Sequence, residues 1–331
     1  MTAKTAGGQA AAATPPDRDA QLEMLRAMHE IRFFEDACHR LFATGAVRGT
    51  THLCQGQEAV AVGACHALRR EDQMTCTYRG HGAVLAKGAP LDRSFGEILG
   101  KAPGLCGGKG GSMHLTDVEA GALGSFAIVG GHLPVSVGVG FAARYRGTDE
   151  VSICFFGDGS TNIGAFHESL NLAAVWRLPV LFVIENNLYG EYSPLSSTTP
   201  IEVLADRAAS YGMPGIRIDG NDVLEVHATI SEAAARARAG EGPTLIEAMT
   251  YRQKGHSRAD PAKYRPEGEL EAWLKRDPIV LHERALAEAG VPQERLDEIR
   301  AAAEQAVEEA LERAQSWPDP DPETRLEHVY A

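Results

Sequence analysis

The stretch VSICFFGDGSTNIG, residues 151–164, limits the fold more than any other part of the chain. Five of its first six residues are apolar, the pattern of a strand buried on both faces. A second apolar run, LPVLFVI at 178–184, follows after a span that fits one helix near 160–176. Strand, helix and strand in that order make a βαβ crossover, so the two strands are expected as parallel members of one sheet. Further strands are expected at QMTCTY (73–78), GIRIDG (215–220) and PTLIEAMTY (243–251), the last two separated by a helical stretch at 222–239. The fold class is therefore α/β, a doubly wound, mostly parallel sheet.

Helices flank this core. From Asp19 to Ala43 the residues Leu22, Leu25, Met28, Ile31, Phe34, Cys38 and Leu41 recur every three or four positions, and Gly45 follows as a stop. Near the other end Leu296, Ile299, Ala303, Val307 and Leu311 form an apolar stripe on a helix from about Gln293 to Ser316. Residues 103–131 are so rich in glycine that a loop region close to some neighbour is expected there. Residues 1–18, rich in Ala, Gly, Thr and Pro, read as a disordered tail. The expected organisation is this tail, a core domain over 19–285 with its N-terminal helix, and a C-terminal helical extension over 286–331.

A balance of 32 basic against 45 acidic residues gives a net charge of −13, which disfavours nucleic acid and anionic membranes as partners. No apolar run is both long enough and free enough of Gly, Pro and His to cross a bilayer. The six cysteines include no C-x-x-C pair and several sit in apolar runs, as expected of reduced thiols in a cytoplasmic protein.

The residue that does not fit a plain sheet is Asp158, set between Gly157 and Gly159 where a buried strand ends. A buried carboxylate is costly unless it is hydrated, paired or bound to a cation. Ligands bind open parallel sheets at the carboxyl ends of strands, and a second such end carries Glu185-Asn186-Asn187. Ends of adjacent strands lie roughly 5 Å apart, or about 10 Å with one strand between, so a small ion can bridge them. Oxygen ligands of this kind suit Mg²⁺ or Ca²⁺, and Mg²⁺ completes its shell with water and phosphate oxygens. Ser160 is expected to open the next helix, whose N-terminus would receive a phosphate. A lone G-D-G is common turn chemistry. The Asn pair 28 and 29 residues later shifts the balance towards a metal-diphosphate site.

G-D-G followed by N-N at this distance resembles the thiamine-diphosphate fingerprint. The resemblance implies a metal, Mg²⁺, held by Asp158, Asn187 and the carbonyl of Tyr189. TYRGHG (77–82), GGKGGSMHL (107–115), IVGGHLPVSVG (128–138), ENNLYG (185–190) and TYRQKGHSRADPAKYR (250–265) extend the likeness. Together they resemble the alpha subunit of the decarboxylating component of 2-oxoacid dehydrogenase complexes, of the pyruvate and acetoin dehydrogenase type. That resemblance implies a thiamine-diphosphate-binding fold in which Tyr78, Arg79, Arg252 and His256 meet the diphosphate and the cofactor's edge. Ala127 and Val129 would line the cofactor, and Gly159 and Ser160 would give it backbone contacts. His52 would face the substrate, and with His256 it is assigned to catalysis.

The same resemblance implies partners. The glutamate that activates the cofactor belongs to a pyrimidine-binding domain, and only one αβα unit is legible here. A beta subunit is therefore expected to supply it, in an assembly of two alpha and two beta chains. The implied activity is decarboxylation of a 2-oxoacid, or cleavage of acetoin, with transfer of the acyl group to a lipoyl-bearing acyltransferase component. A stand-alone thiamine-dependent decarboxylase or carboligase, and a cofactor-binding regulatory subunit, are the alternatives. Thr50, His52, Phe126 and His132 are assigned to the substrate pocket, and three of them depart from the family. Thr50 stands where an aromatic is usual, Phe126-Ala127 replaces an Asn-Gly pair, and His132 replaces a Gln or small residue. The polar groups lead to the expectation that pyruvate is a poorer substrate than a 2-oxoacid with a polar substituent.

Overall fold

The structure, a computed structural model, describes residues 15–47 and 49–327. The expected tail lies outside the described residues up to position 14, and Arg18 already opens helix α1 (Arg18–Ala43), capped by the side chain of Asp17. Leu25, Met28, Ile31, Phe34, Cys38 and Leu41 are buried along one face of α1. Next come α2 (Glu58–His66), β1 (Gln73–Thr77), α3 (His81–Ala86), α4 (Leu91–Ile98), β2 (Ala122–Phe126) and α5 (Leu133–Arg146). The crossover follows as β3 (Ser152–Gly157), α6 (Gly164–Val175) and β4 (Val180–Asn186). A two-residue ladder, β5 (Tyr189–Gly190) with β6 (Ser193–Pro194), and a single turn, α7 (Leu195–Thr198), lead to β7 (Gly215–Asp219), α8 (Val223–Arg238) and β8 (Thr244–Met249). The chain ends with α9 (Glu269–Leu274), α10 (Pro278–Glu288) and α11 (Gln293–Ser316).

The main sheet has six strands in the order β2-β1-β3-β4-β8-β7, all parallel. From β1 the chain goes outward to β2 and then returns to lay every later strand on the other side, so the order reverses between β1 and β3. β3 and β4 are direct neighbours, in register from Ser152↔Val180 to Gly157↔Glu185, and the shorter of the two expected spacings applies. Their side chains alternate between two cores. Ile153, Phe155, Leu181 and Val183 face the cluster built with α1, α2, α8 and α11; Cys154, Phe156, Phe182 and Ile184 face the one built with α5 and α6. Burial on both faces is the reason these strands read as continuous apolar runs.

α11 is not peripheral. Val307, Ala310, Leu311 and Ala314 belong to the same core cluster as the sheet, packed on α1 and α4. The boundary expected at 285/286 falls inside α10. All six cysteines are free thiols and five are buried. No helix among the described residues is long and apolar enough to cross a membrane.

Two local expectations are corrected. After Asp158 comes a 3₁₀ segment, Asp158–Asn162, and α6 starts only at Gly164, so Ser160 lies in a tight turn ahead of the α-helix. The glycine-rich region contains β2, and its first part wraps a single carboxylate. The amides of Cys106 and Gly108 donate to Glu97 Oε2 at 2.6 and 2.9 Å, and those of Gly110 and Gly111 donate to Oε1 at 2.7 and 3.0 Å. Glu97 is fully buried, and a Cβ on Gly104 would sit 2.7 Å from its backbone and carboxylate. The neighbour that this loop approaches is therefore a side chain of α4. Glu97→Gln retains the shape but turns one acceptor into a donor facing amide N–H groups. Hydrogen exchange of residues 106–111 is expected to rise by about tenfold or more while exchange in β3 and β4 stays unchanged, as read by exchange mass spectrometry.

Candidate active site

The reversal of strand order between β1 and β3 leaves a crevice at their carboxyl ends. Three strand ends put polar groups there: Thr77, Tyr78 and Arg79 after β1, Asp158 after β3, and Glu185 and Asn187 at β4. They line a cavity of about 510 Å³ together with His52, Gln57, Met113, Ala127, Val129, Gly159, Ser160, Tyr189, Arg252 and His256. Twelve residues assigned from the sequence thus meet around one space: His52, Tyr78, Arg79, Ala127, Val129, Asp158, Gly159, Ser160, Asn187, Tyr189, Arg252 and His256.

Asp158 is 1% exposed, and among the described residues neither of its carboxylate oxygens has a hydrogen-bond partner. Burial lifts its pKa to about 6, against the smaller opposing pull of nearby amides and of Arg252. Glu185, beside it on β4, is lifted to about 7 by burial, with the Arg79 charge opposing. Asn187 donates to Gln57 Oε1 and accepts from the amide of Tyr189, both at 3.4 Å. Leu188, with φ of 74°, turns the chain sharply after Asn187. That turn lays Gly190 on the G-D-G segment: a Cβ on Gly159 would lie 3.2 Å from the Gly190 Cα, and one on Gly190 would lie 3.3 Å from the Gly159 Cα. The two glycines let the two strand-end loops touch backbone to backbone.

Two buried guanidinium groups face these acids. Arg79 donates to the carbonyls of Leu53 and His256 at 2.6 and 2.7 Å, and Arg252 donates to the Glu191 carbonyl and the Tyr264 hydroxyl at 3.1 and 2.7 Å. Their hydrogen bonds among the described residues go to neutral oxygens, and Arg252 Nε has no partner. Burial, then the Arg252 charge, lowers Arg79 to about 10, and Arg252 is lowered by burial as well. His52 lies against Tyr78 at 4.3 Å with the rings tilted by 51°, and it meets His256 edge-on at 5.0 Å. Burial and the Arg79 charge lower His52 to about 3 and His256 to about 4, so both are neutral at pH 7.

Three assigned pocket positions do not reach the cavity. Thr50 is exposed on the surface, because the chain enters the site only from Thr51 onward, where it becomes buried. His132 is fully buried behind the wall, bonded through Nε2 to the Phe155 carbonyl at 2.8 Å and stacked on Phe126 at 5.7 Å. Phe126 ends β2 with its ring turned to that stack. None of the three side chains that carried the expectation of a polar substrate pocket lines the cavity of this chain. Gln57, Met113 and Glu185 line the cavity instead. Glu185 and Met113 stood within the quoted ENNLYG and GGKGGSMHL motifs; nothing in sequence singled out Gln57.

Other histidines are structural. His81 is bonded to Glu35 at 2.9 Å and to Ser112 Oγ at 2.9 Å, with all three fully or almost fully buried. Burial opposes charge on both His81 and Glu35, yet each partner outweighs it, raising His81 and lowering Glu35. Cys38 completes a compact group with them, but the ion pair already satisfies its members. His114 is bonded to the Gly110 carbonyl, and the exposed His167 to the Tyr211 hydroxyl.

An α/β sheet with a crevice at its switch point lined by buried acidic and guanidinium groups defines the class. The sequence model of the dehydrogenase E1 component matches residues 26–323, and the chain belongs to that family. It is 46% identical over 309 residues, 93% of each chain, to the alpha subunit of acetoin:2,6-dichlorophenolindophenol oxidoreductase of Bacillus subtilis. Its identity to the corresponding Cupriavidus necator subunit is 43% over 332 residues, 100% of this chain and 99% of that one. With the alpha subunit of the pyruvate dehydrogenase E1 component of Rhizobium meliloti it shares 40% over 318 residues, covering 96% and 90%.

The neutral state of the two cavity histidines is testable. In the ligand-free protein, histidine NMR signals of His52 and His256, assigned with the His52→Gln and His256→Gln variants, are expected not to titrate between pH 8 and about 5. A midpoint near 6.5 for either would show that burial and the arginine charges do not govern it.

Proposed function

We propose that this chain is the alpha subunit of an enzyme that uses thiamine diphosphate and Mg²⁺ to decarboxylate a small 2-oxoacid or to cleave acetoin. In this reading a beta subunit completes the active site, and the acyl group passes to a lipoyl-bearing acyltransferase component. The observation that carries it is the buried carboxylate of Asp158, which among the described residues has no hydrogen-bond partner, in the same cavity as two buried guanidinium groups that among those residues make no ion pair. That donor set fits a divalent cation on oxygen ligands and a polyanion beside it.

Asp158, Asn187 and the carbonyl of Tyr189 would hold the metal. Arg79, Arg252, His256 and Tyr78 would take the diphosphate, helped by the amides of Gly159 and Ser160. When bound, the cofactor supplies the electron sink for breaking the bond beside the carbonyl. His52, held neutral, would hydrogen-bond a substrate oxygen instead of acting as a fixed charge. Met113, Ala127 and Val129 give the cavity an apolar wall, which suits a small apolar acyl group such as those named in the acetoin and pyruvate relatives.

A partner chain has a surface to cover. Ile128 and Val129 at the rim are 76% and 45% exposed, and Val135, Phe141 and Tyr145 on α5 continue into Leu172, Val175 and Trp176 at α6 as one exposed apolar face. Such a face on two packed helices favours protein contact. The buried thiols are consistent with a reducing cytoplasm.

Asp158→Asn tests the reading directly. Calorimetric titration of the alpha–beta complex is expected to show Mg²⁺-dependent thiamine diphosphate binding in wild type and none in the variant. Because the folded-state pKa of Asp158 is raised, its charged form costs stability above the usual carboxylate range. The ligand-free variant is therefore expected to be more stable at pH 7, on the order of 1–3 kcal/mol by denaturant unfolding. Binding in the variant equal to wild type would remove the metal assignment.

The corrected pocket gives a second expectation. Pyruvate should exceed a 2-oxoacid that carries a hydroxyl on its side chain in kcat/KM by about tenfold or more, since an apolar wall leaves that hydroxyl unpaired. Thr50→Phe should leave the ranking unchanged, and a shift of preference in that variant would return Thr50 to the pocket.

A further inference from the structure

The contacts behind the cavity converge on a residue outside it. Glu269 opens the six-residue helix α9, directly after Gly268 at φ 82°. Its carboxylate accepts from the Tyr189 hydroxyl at 2.9 and 3.0 Å and from the Tyr251 hydroxyl at 2.7 Å. These tyrosines belong to different strand ends. Tyr189 follows β4 and borders the cavity beside Asn187, whereas Tyr251 follows β8 and immediately precedes Arg252. Trp273 of α9 stacks on the Tyr251 ring at 5.3 Å with 6° between planes, and the Arg265 guanidinium covers that ring at 4.8 Å. Arg265 also donates to the carbonyls of Gln253 and Lys254 at 3.3 and 2.7 Å. The segment between Arg252 and Glu269 carries His256 and Tyr264, so α9 closes its far end.

We infer that Glu269 is a positioning residue for the metal-diphosphate site: it ties the Tyr189 strand end to the Tyr251-Arg252 strand end and fixes the 253–268 segment against the cavity. The assignment rests on the cofactor reading above. Hydrogen bonds to an ionised carboxylate are stronger than neutral ones, and two hydroxyls on one carboxylate set the distance between their strands. A diphosphate site needs that distance held to a fraction of an ångström, because the metal loop and Arg252 act on the same group. Burial, then Glu269, raises the Tyr189 phenol to about 12 and raises Tyr251 as well, so both hydroxyls remain donors across the neutral range.

The experiment uses the alpha–beta complex with thiamine diphosphate and Mg²⁺ as the probe. Glu269→Ala is expected to raise the KM for thiamine diphosphate about tenfold or more and to leave kcat at saturation within about twofold. Tyr189→Phe and Tyr251→Phe should each raise KM less, and should add nothing in the Glu269→Ala background. Glu269→Gln retains one acceptor oxygen and should fall between. Hydrogen exchange of residues 253–266 in the ligand-free complex should rise in Glu269→Ala, a change that a general loss of stability would not confine to that segment. An unchanged KM, additive tyrosine effects, or a raised KM without faster exchange in the segment would each overturn the inference. If wild type itself does not bind the probe, the cofactor reading fails on its own, and unchanged exchange in Glu269→Ala then overturns the tie as well. Should Glu269→Ala not fold, Tyr251→Phe, which removes one hydroxyl, is measured in its place: a raised KM with faster exchange in 253–266 supports the tie, and either one unchanged overturns it.

Discussion

A carboxylate buried without a donor is the constraint on which the site depends. Asp158 is placed there by β3, and β3 is held rigidly because its side chains feed two cores at once. The fold tolerates the cost of desolvating that charge because Ile153, Cys154, Phe155 and Phe156 of the strand are apolar and fully packed. Arg79 and Arg252 are desolvated on the other side of the cavity, and the Arg252 charge adds to the lowering of Arg79. Like charges held together, with their hydrogen bonds going to neutral oxygens, are unfavourable until something of opposite sign enters. A cation on Asp158 and a polyanion on the arginines, as proposed, would relieve both costs at once and would link ligand binding to site stability.

Glycine serves two separate purposes in this chain. At Gly159 and Gly190 it allows two strand-end loops to meet backbone to backbone, which brings Asn187 and Tyr189 next to Asp158. Around residues 104–111 it lets the chain curl until four amides point at Glu97. The second use is structural, yet it is not remote from the cavity. The same loop leads to Ser112, which is bonded to His81, and to Met113 in the cavity wall.

The sheet was legible because buried parallel strands carry unbroken apolar runs, as in 151–156 and 178–184, and because α1 and α11 carry regular stripes. The cavity-lining positions Arg79, Asp158, Asn187 and Arg252 were legible because strand-end polar residues are costly and so stand out against those runs. β2 was not, since ALGSF at a sheet edge lacks both alternation and bulk, and its glycine surroundings masked it. The pocket positions Thr50, Phe126 and His132 were misplaced because proximity in sequence to His52 and Val129 says nothing about side-chain direction. A single step along the chain separates exposed Thr50 from buried Thr51, and His132 turns into the sheet to satisfy the Phe155 carbonyl. Gln57 and Met113 come from segments that only the tertiary fold brings to the cavity.

The scaffold supports the site from below and leaves it open above. Glu35 of α1 accepts from the amide of Cys54 at 2.8 Å and pairs with His81, so one buried ion pair ties down both the segment after His52 and the turn after Arg79. Arg79 then reaches across to the carbonyls of Leu53 and His256, closing the ring of supports. Nothing among the described residues does the same for the rim at Ile128 and Val129, which stands exposed and apolar. Yet the neutral state of His52 rests first on burial and only then on the neighbouring charges. Any chain that covers this rim would deepen the desolvation of the same groups, strengthening the electrostatics of a bound diphosphate while it excludes water from the substrate. In the proposed reading, assembly and chemistry would be coupled through one physical quantity, the polarity of the cavity, and the exposed apolar face of α5 and α6 is where a covering chain would make that coupling.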